Sequence, residues 1–151
     1  MSDTHGYMLD TETCVAILRR ADAAVMERLS RVAVGDVCIS AVTLSELMYG
    51  AEVSRRTAQE RAALDVFLKH VAVLEYPQAA AEEYGRLRMI LELCEARLDP
   101  HELLAAAHAR CLGMTLVSAK ARGLAQVHGM MVESWKGERE TNVSNTLKPE
   151  A

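Results

Sequence analysis

The sequence predicts an α/β protein with three layers, in which helices cover both faces of a mostly parallel central sheet. Short apolar segments alternate with helical segments along the chain, which is the element order of a parallel sheet. These apolar segments are continuous rather than alternating, and this is typical of strands that are buried on both faces. A chain of 151 residues, half of them hydrophobic, is long enough to bury the core of one domain.

The first half of the chain is predicted to begin with a strand, two helices and a second strand. The predicted elements are a strand over 7–10, helices over 13–20 and 22–34, a turn at 35–36 and a strand over 37–40. Thr43 and Glu46 then have the spacing of a capping box, so a helix is predicted to open there and to run to about Val53.

The second half is predicted to supply three more strands and three more helices. The predicted elements are a helix with Leu64, Phe67, Leu68 and Val71 on one face, a strand over 71–74, a long helix after Pro77, a helix over about 100–112, and strands over 115–118 and 130–133. Asp99 and Glu102 form a second capping signature, with Pro100 at the first helical position. This helix is predicted to end at Gly113.

Composition and the chain ends narrow the class of protein. Residues 1–135 are predicted to form the domain, and the polar stretch 136–151 is predicted to be a disordered tail. No secretory signal and no apolar run long enough to cross a bilayer is visible, so a cytoplasmic location is expected. The net charge of −4 argues against a protein surface that is basic overall and binds nucleic acid non-specifically, but it allows a local basic rim. The candidates for this rim, which solvated helix faces also explain, are Arg86, Arg88, Arg97, Lys120 and Arg122.

Three carboxylates are predicted to meet at one edge of the sheet. Asp10 ends the first strand, Glu46 lies in the first turn of the helix after the second strand, and Glu102 starts the helix that leads to the fourth strand. Lys120 follows the fourth strand. Sites in open parallel sheets form outside the carboxyl ends of the strands, where crossover helices also start. One rim is therefore expected to hold all four positions.

The chemistry of this rim favours a divalent metal, although two of the acids have a second explanation. Carboxylates held close together raise each other's pKa, and a hard cation such as Mg²⁺ relieves this repulsion and activates water for phosphoryl chemistry. Glu46 is also explained as the cap partner of Thr43, and Glu102 as the cap partner of Asp99. Asp10 is harder to explain by packing, because an acid is poorly suited to the end of an apolar strand.

Five segments that follow one another along the chain carry a resemblance to a known family. They are residues 7–11, 39–50, 103–109, 115–118 and 129–135. Together they resemble the PIN-domain toxins of the VapC type. The resemblance implies a PIN-like fold and a Mg²⁺- or Mn²⁺-dependent endoribonuclease, with initiator tRNA as a candidate RNA substrate. It also implies a VapB-type antitoxin partner and a toxin homodimer.

The resemblance also assigns roles to residues of the rim. Asp10, Glu46 and Glu102 are implied to be the catalytic and metal-binding acids, and Glu102 stands where the family usually has Asp. The residues implied to lie beside the site are Thr11, Glu12, Ser118 and Lys120.

The chain departs from the family pattern at three places. Glu12 replaces a usual Asn, and Glu102 is one methylene longer than the usual Asp. Ala119 and Lys120 replace a usual pair of Asn residues, or Asn with Asp. The ammonium group of Lys120 is expected either to compete with a metal cation or to replace a second one, by neutralising Asp10 or by contacting a phosphate.

Two other functions are open at this point. A PIN fold that has lost catalysis and binds RNA or an antitoxin is suggested by Ala119 and Lys120. An aspartyl-phosphate phosphatase is suggested by residues 10–13, which resemble the D-x-D-x-T sequence of haloacid-dehalogenase-like phosphatases, with Lys120 as their lysine.

Several further residues are predicted to have structural roles. His101 is expected at the surface of a helix start, His108 in the core, and Trp135 packed against the body of the domain. The four cysteines lack a C-x-x-C spacing and are expected to be buried, reduced thiols: Cys14, Cys38, Cys94 and Cys111. The candidates for an antitoxin groove, which core packing also explains, are Met26, Met48 and Tyr49.

Overall fold

The computed structural model of the protein describes residues 6–137. The strands are β1 (Tyr7–Leu9), β2 (Val37–Ser40), β3 (Ala72–Leu74), β4 (Thr115–Val117) and β5 (Val132–Glu133). The helices are α1 (Thr11–Leu18), α2 (Ala23–Arg31), α3 (Ala41–Glu52), α4 (Thr57–Phe67), α5 (Gln78–Leu93), α6 (Pro100–Leu112) and α7 (Ala121–Leu124). The predicted tail lies outside the described residues from 138 onward. Within the described part of the chain, no helix has the length and apolarity needed to span a membrane.

The five strands form one sheet in the order β3-β2-β1-β4-β5, and every neighbouring pair is parallel. This arrangement confirms the predicted three-layer α/β fold. Its central strand is β1, whose carboxyl end carries Asp10. Because β2 and β4 flank β1, the residues that follow these three strands lie side by side at one edge of the sheet.

The core is divided between the two faces of the sheet, as the continuous apolar strands predict. Met8 belongs to a cluster with residues of α5 and α6, whereas its neighbour Leu9 belongs to a cluster with residues of α1, α3 and α4. Leu116 and Val117 divide between the same two clusters. Successive side chains of a strand point to opposite faces, so both faces must be covered by helices.

The start of α3 corrects the prediction of a capping box at Thr43 and Glu46. Ser40 ends β2 in an extended conformation and caps the helix directly, with its Oγ accepting from Val42 N at 3.1 Å. The helix therefore begins at Ala41, and Glu46 lies in its second turn rather than its first. Glu46 is consequently not a capping residue.

The predicted capping box of α6 is confirmed. The backbone N–H of Asp99 donates to Glu102 Oε1 at 2.9 Å, and Pro100 occupies the first helical position. Gly113 ends the helix in the left-handed conformation, with φ of 70°. An Ala at this position would be strained, because L side chains disfavour positive φ.

The other differences lie at the ends of elements. Helix α1 begins at Thr11 rather than Thr13, because Asp10 caps it, and the short helix α7 was not predicted.

The expectation that all four cysteines are buried is wrong for Cys94, which is exposed, and for Cys111, which is half-buried. Both lie at a helix end, where solvent reaches the side chain.

Candidate active site

Asp10 is the most buried carboxylate of the candidate site, with 3% of its surface exposed. Its backbone N–H donates to Val117 O at 3.0 Å, which extends the pairing of β1 with β4 by one residue. Its side chain caps α1 and accepts from Thr13 N at 2.8 Å. Burial raises the pKa of Asp10, an effect that hydrogen bonds from Thr13 and Ser118 oppose and the negative charge of Glu12 assists.

Ser118 joins Asp10 to the segment that follows β4. Its backbone N–H donates to Glu133 O at 3.0 Å, so the residue is fixed between β4 and β5. Its hydroxyl lies beside Asp10 and also accepts from the backbone N–H of Lys120 at 2.9 Å. The carboxyl ends of β1 and β4 thus place a buried acid and a fixed lysine backbone on the same edge, as predicted.

Glu102 reaches this edge from the start of α6. Its side chain is 12% exposed, and its Oε2 lies 3.7 Å from Lys120 Nζ. The crossover helix therefore starts at the carboxyl edge of the sheet, as its topology requires. Glu102 caps α6 and faces the rim at the same time, so the two explanations drawn from the sequence hold together.

Glu46 lies on a different helix, in the second turn of α3 after β2, and is partly buried. Among residues 6–137 its carboxylate has no hydrogen-bond or ion-pair partner. Helix α3 packs against α6, and the contact includes His108 Nδ1, which lies 2.9 Å from Ser40 Oγ. Burial lowers the pKa of His108, which keeps its ring neutral. This buried contact joins the start of α3, the helix that carries Glu46, to the C-terminal half of α6, the helix that carries Glu102.

The three predicted acids do not form one closed set of ligand atoms. In the described part of the chain, the only three potential metal ligands whose ligand atoms lie within 4.8 Å of one another are Asp99, His101 and Glu102, at the exposed start of α6. What the structure brings together is a chain of contacts from Asp10 through Ser118 and Lys120 to Glu102.

The donor chemistry of this edge suits a hard divalent cation. The hydroxyl groups of Thr13 and Ser118 hydrogen-bond to Asp10, and Thr11 Oγ1 is buried without a partner among the described residues. A Mg²⁺ ion needs only one or two carboxylates, since water and substrate phosphate complete its coordination. A site with separated carboxylates therefore fits such an ion.

Residues beside the acids form a cleft of about 290 Å³ that contains Glu12, Thr13, Ala119 and Lys136. Glu12 is exposed, and its Oε2 lies 3.8 Å from Lys136 Nζ. Sequence reasoning did not single out Thr13, Lys136 or the contact of Ser40 with His108. Only Thr13 has a local signal, because it stands three residues after Asp10, where a capping carboxylate accepts its hydrogen bond.

Most of the other sequence predictions near the site are resolved by contacts. His108 and Trp135 are buried, which confirms that both pack in the body of the domain. Arg86 and Arg88 pair with acids of their own helix, which supports solvated helix faces rather than an RNA-binding rim. His101 is half-buried, and it lies at the start of α6 as expected.

Comparison with known proteins gives the family of this fold and site. The PIN domain model matches residues 7–129. The tRNA(fMet)-specific endonuclease VapC of Shigella flexneri is 36% identical over 85% of this chain and 97% of its own length. Ribonuclease VapC2 of Haemophilus influenzae is 31% identical over the same shares of the two chains. The DNA-bound VapBC structure from Salmonella typhimurium is 30% identical, with a TM-score of 0.78 over 87% of this chain and 99% of that one. The chain therefore belongs to the PIN-domain family, and within it to the VapC type.

Proposed function

We propose that this chain is a metal-dependent endoribonuclease toxin that pairs with a VapB-type antitoxin. The observation that carries the proposal is the buried carboxylate of Asp10, held beside Ser118 at the carboxyl ends of adjacent parallel strands. An ionised acid in this position is unfavourable unless a cation approaches it. The VapC relatives are named as ribonucleases or endonucleases, and the one from Shigella flexneri is named as specific for tRNA(fMet).

The acids of the rim would hold the metal: Asp10 at the end of the central strand β1, Glu46 on α3 and Glu102 on α6. When bound, such an ion lowers the pKa of water and stabilises negative charge on a phosphoryl group. Thr13 fixes the Asp10 carboxylate through its backbone N–H, so one carboxylate oxygen stays in place for binding. Lys120, at the other side of the rim, adds a positive charge that attracts an RNA phosphate.

The nuclease proposal predicts that Glu46→Gln loses activity without losing the fold. Purified protein is incubated with initiator tRNA and Mg²⁺ or Mn²⁺, with and without EDTA, and cleavage is followed on a gel. Because Glu46 has no structural partner among residues 6–137, its replacement should leave the fold intact. Because Glu46 is a proposed metal-binding acid, we expect an activity loss of at least ~100-fold, in the range seen when a catalytic group is removed. Glu52→Gln is the matched control, because Glu52 is an exposed residue of the same helix. The Glu52→Gln variant should cleave RNA at the rate of the unmodified chain.

Cleavage that persists in EDTA, or in Glu46→Gln at the rate of the control, would contradict the proposed mechanism. RNA binding without any cleavage by the unmodified chain would instead establish the binding-module alternative, which the ion pair of Lys120 with Glu102 favours. The phosphatase alternative gains no support, since the matching family is the PIN domain.

The antitoxin is proposed to bind an apolar groove of about 570 Å³ between α1, α2 and α4. Ile17, Met26 and Val66 line it, and Val66 is 56% exposed. An amphipathic helix that places its apolar side chains into such a groove is a common mode of recognition. Met26 is thus retained as a groove residue, whereas Met48 and Tyr49 do not line this groove. The toxin homodimer and the cytoplasmic location stay predictions.

The groove predicts that Val66→Asp weakens antitoxin binding without unfolding the toxin. A charge placed in an apolar interface must be desolvated, so we expect the Kd for the cognate VapB-type antitoxin to rise at least ~10-fold. Val53→Asp is the matched control, because Val53 is 61% exposed and lies outside the groove. Titration calorimetry measures both affinities, and equal affinities of the two variants would exclude the groove as the binding site.

A further inference from the structure

Glu102 is the rim acid that accepts a backbone hydrogen bond and also faces a cation of the protein. Its Oε1 accepts from the backbone N–H of Asp99 at 2.9 Å, and its Oε2 lies 3.7 Å from Lys120 Nζ. Neither Asp10 nor Glu46 has an ion-pair partner among residues 6–137. The Oε2 atom of Glu102 is therefore the rim oxygen that already pairs with a cation of the protein, the ammonium group of Lys120.

The backbone of Lys120 is fixed, so this contact is built into the fold. Its N–H donates to Ser118 Oγ at 2.9 Å, and its carbonyl accepts from Leu124 N at 3.4 Å, at the start of α7. Ser118 is itself buried between β4 and β5. The side chain of Lys120, by contrast, is 46% exposed and has room to leave Glu102. A fixed anchor with a movable ammonium group is suited to reversible competition.

A divalent ion and this ammonium group need the same oxygen. The Oε1 atom of Glu102 already accepts the capping hydrogen bond of α6, so Oε2 has the greater free acceptor capacity for a metal that binds Glu102 directly. Two cations repel at contact distance, and the metal therefore has to displace Lys120 before it binds there. Each binding event includes the loss of one ion pair.

We propose that Lys120 is a built-in competitor that sets the divalent-metal affinity of the rim. This inference rests on the proposed function, since it concerns the metal of that site. The chain with Lys120 requires a higher metal concentration for occupancy than the same chain with a neutral residue there. Ala119, the small neighbour of Lys120, offers no oxygen atom from its side chain that would offset the competition.

The test is a Mn²⁺ titration of the full chain, with free Mn²⁺ measured by electron paramagnetic resonance. Lys120→Gln removes the charge and leaves the backbone bond to Ser118 intact. We expect its Kd for Mn²⁺ to be about fivefold lower, which corresponds to the ~1 kcal/mol of a partly exposed ion pair. Lys120→Arg retains a cation, and its Kd is expected to stay within about twofold of that of the unmodified chain.

Lys136→Gln is the matched control for general electrostatics. Lys136 also pairs with an acid beside the site, at 3.8 Å from Glu12, and removing it changes the net charge by the same amount. Unchanged affinity of Lys136→Gln with tighter binding by Lys120→Gln supports the proposal. Equal tightening in both variants, or unchanged or weaker binding by Lys120→Gln, overturns it.

Asp10→Asn separates this proposal from the proposed function. If Asp10→Asn loses Mn²⁺ binding while Lys120→Gln binds like the unmodified chain, the rim holds a metal and only the competition by Lys120 is refuted. If Asp10→Asn binds Mn²⁺ as well as the unmodified chain, the metal site itself is refuted, and the proposal for Lys120 fails with it.

Discussion

Asp10→Asn is expected to abolish RNA cleavage while it raises the thermal stability of the metal-free protein. The loss of activity, by at least ~100-fold, follows from removing the central anionic ligand of the rim. The gain in stability follows from the burial of Asp10, which raises the pKa of its carboxyl group in the folded state. An Asn side chain keeps an oxygen that accepts from Thr13 N and has no charge to desolvate.

The sign of the stability effect follows from proton linkage. A carboxyl group whose folded pKa is raised above its unfolded value stabilises the fold fully below that unfolded value, here 3.8, and this contribution is lost as the pH rises through the folded pKa. At neutral pH the ionised Asp10 therefore works against folding in the absence of metal. Asp10→Asn removes this penalty, so its melting temperature in EDTA should exceed that of the unmodified chain, and added Mn²⁺ should not raise it further.

Asp22→Asn is the matched control, because Asp22 also caps a helix, α2, but is half-buried rather than buried. Burial of Asp22 acts to raise its pKa, but hydrogen bonds from the backbone N–H groups of Gly137, Val25 and Ala24 prevail, so its pKa is lowered. Its ionised form thus favours folding, and Asp22→Asn should leave stability unchanged or lower it slightly. If Asp10→Asn melts at a lower temperature than the unmodified chain, the ionised carboxylate of Asp10 does not destabilise the metal-free fold as we infer.

The fold was predictable because its signals are local. Continuous apolar strands require cover on both faces, and Asp99 and Glu102 cap α6 through contacts three residues apart. The start of α3 was not predictable in the same way. Ser40 and Thr43 are both good capping residues, and the choice between them depends on where β2 stops pairing with β3, which is a property of the assembled sheet.

The candidate site was predictable in its positions but not in its contacts. The parallel topology brings the ends of β1 and β4 and the start of α6 to one edge, so Asp10 and Glu102 follow from the order of elements. The pairing of Lys120 with Glu102 depends on a side-chain direction that no sequence spacing specifies. The contact of His108 with Ser40 joins residues 68 positions apart, and it has no local signature.

Replacement of His108 is expected to have the largest effect on stability. The side chain is fully buried, its Nδ1 meets Ser40 Oγ at 2.9 Å, and its ring packs edge-on against Tyr76 with 5.4 Å between ring centroids. His108→Ala leaves a cavity and removes one of the two hydrogen-bond partners of the Ser40 hydroxyl, and we expect the free energy of unfolding to fall by roughly 3 kcal/mol. Urea unfolding at pH 7.5 measures the loss, with His128→Ala, at an exposed histidine, as the control.

The same residue predicts how stability depends on pH. Burial lowers the pKa of His108 below its ordinary value of 6.5, so the folded protein keeps the ring neutral while the unfolded chain takes up a proton. Stability from this group is complete above pH 6.5 and is lost as the pH falls from there through the lowered folded pKa. His108→Gln, which retains a hydrogen-bonding side chain but does not titrate, should lose less stability between pH 7.5 and pH 5.5 than the unmodified chain. An equal loss in both would show that the acid sensitivity arises elsewhere, and that His108 joins α6 to α3 without making that joint sensitive to protons.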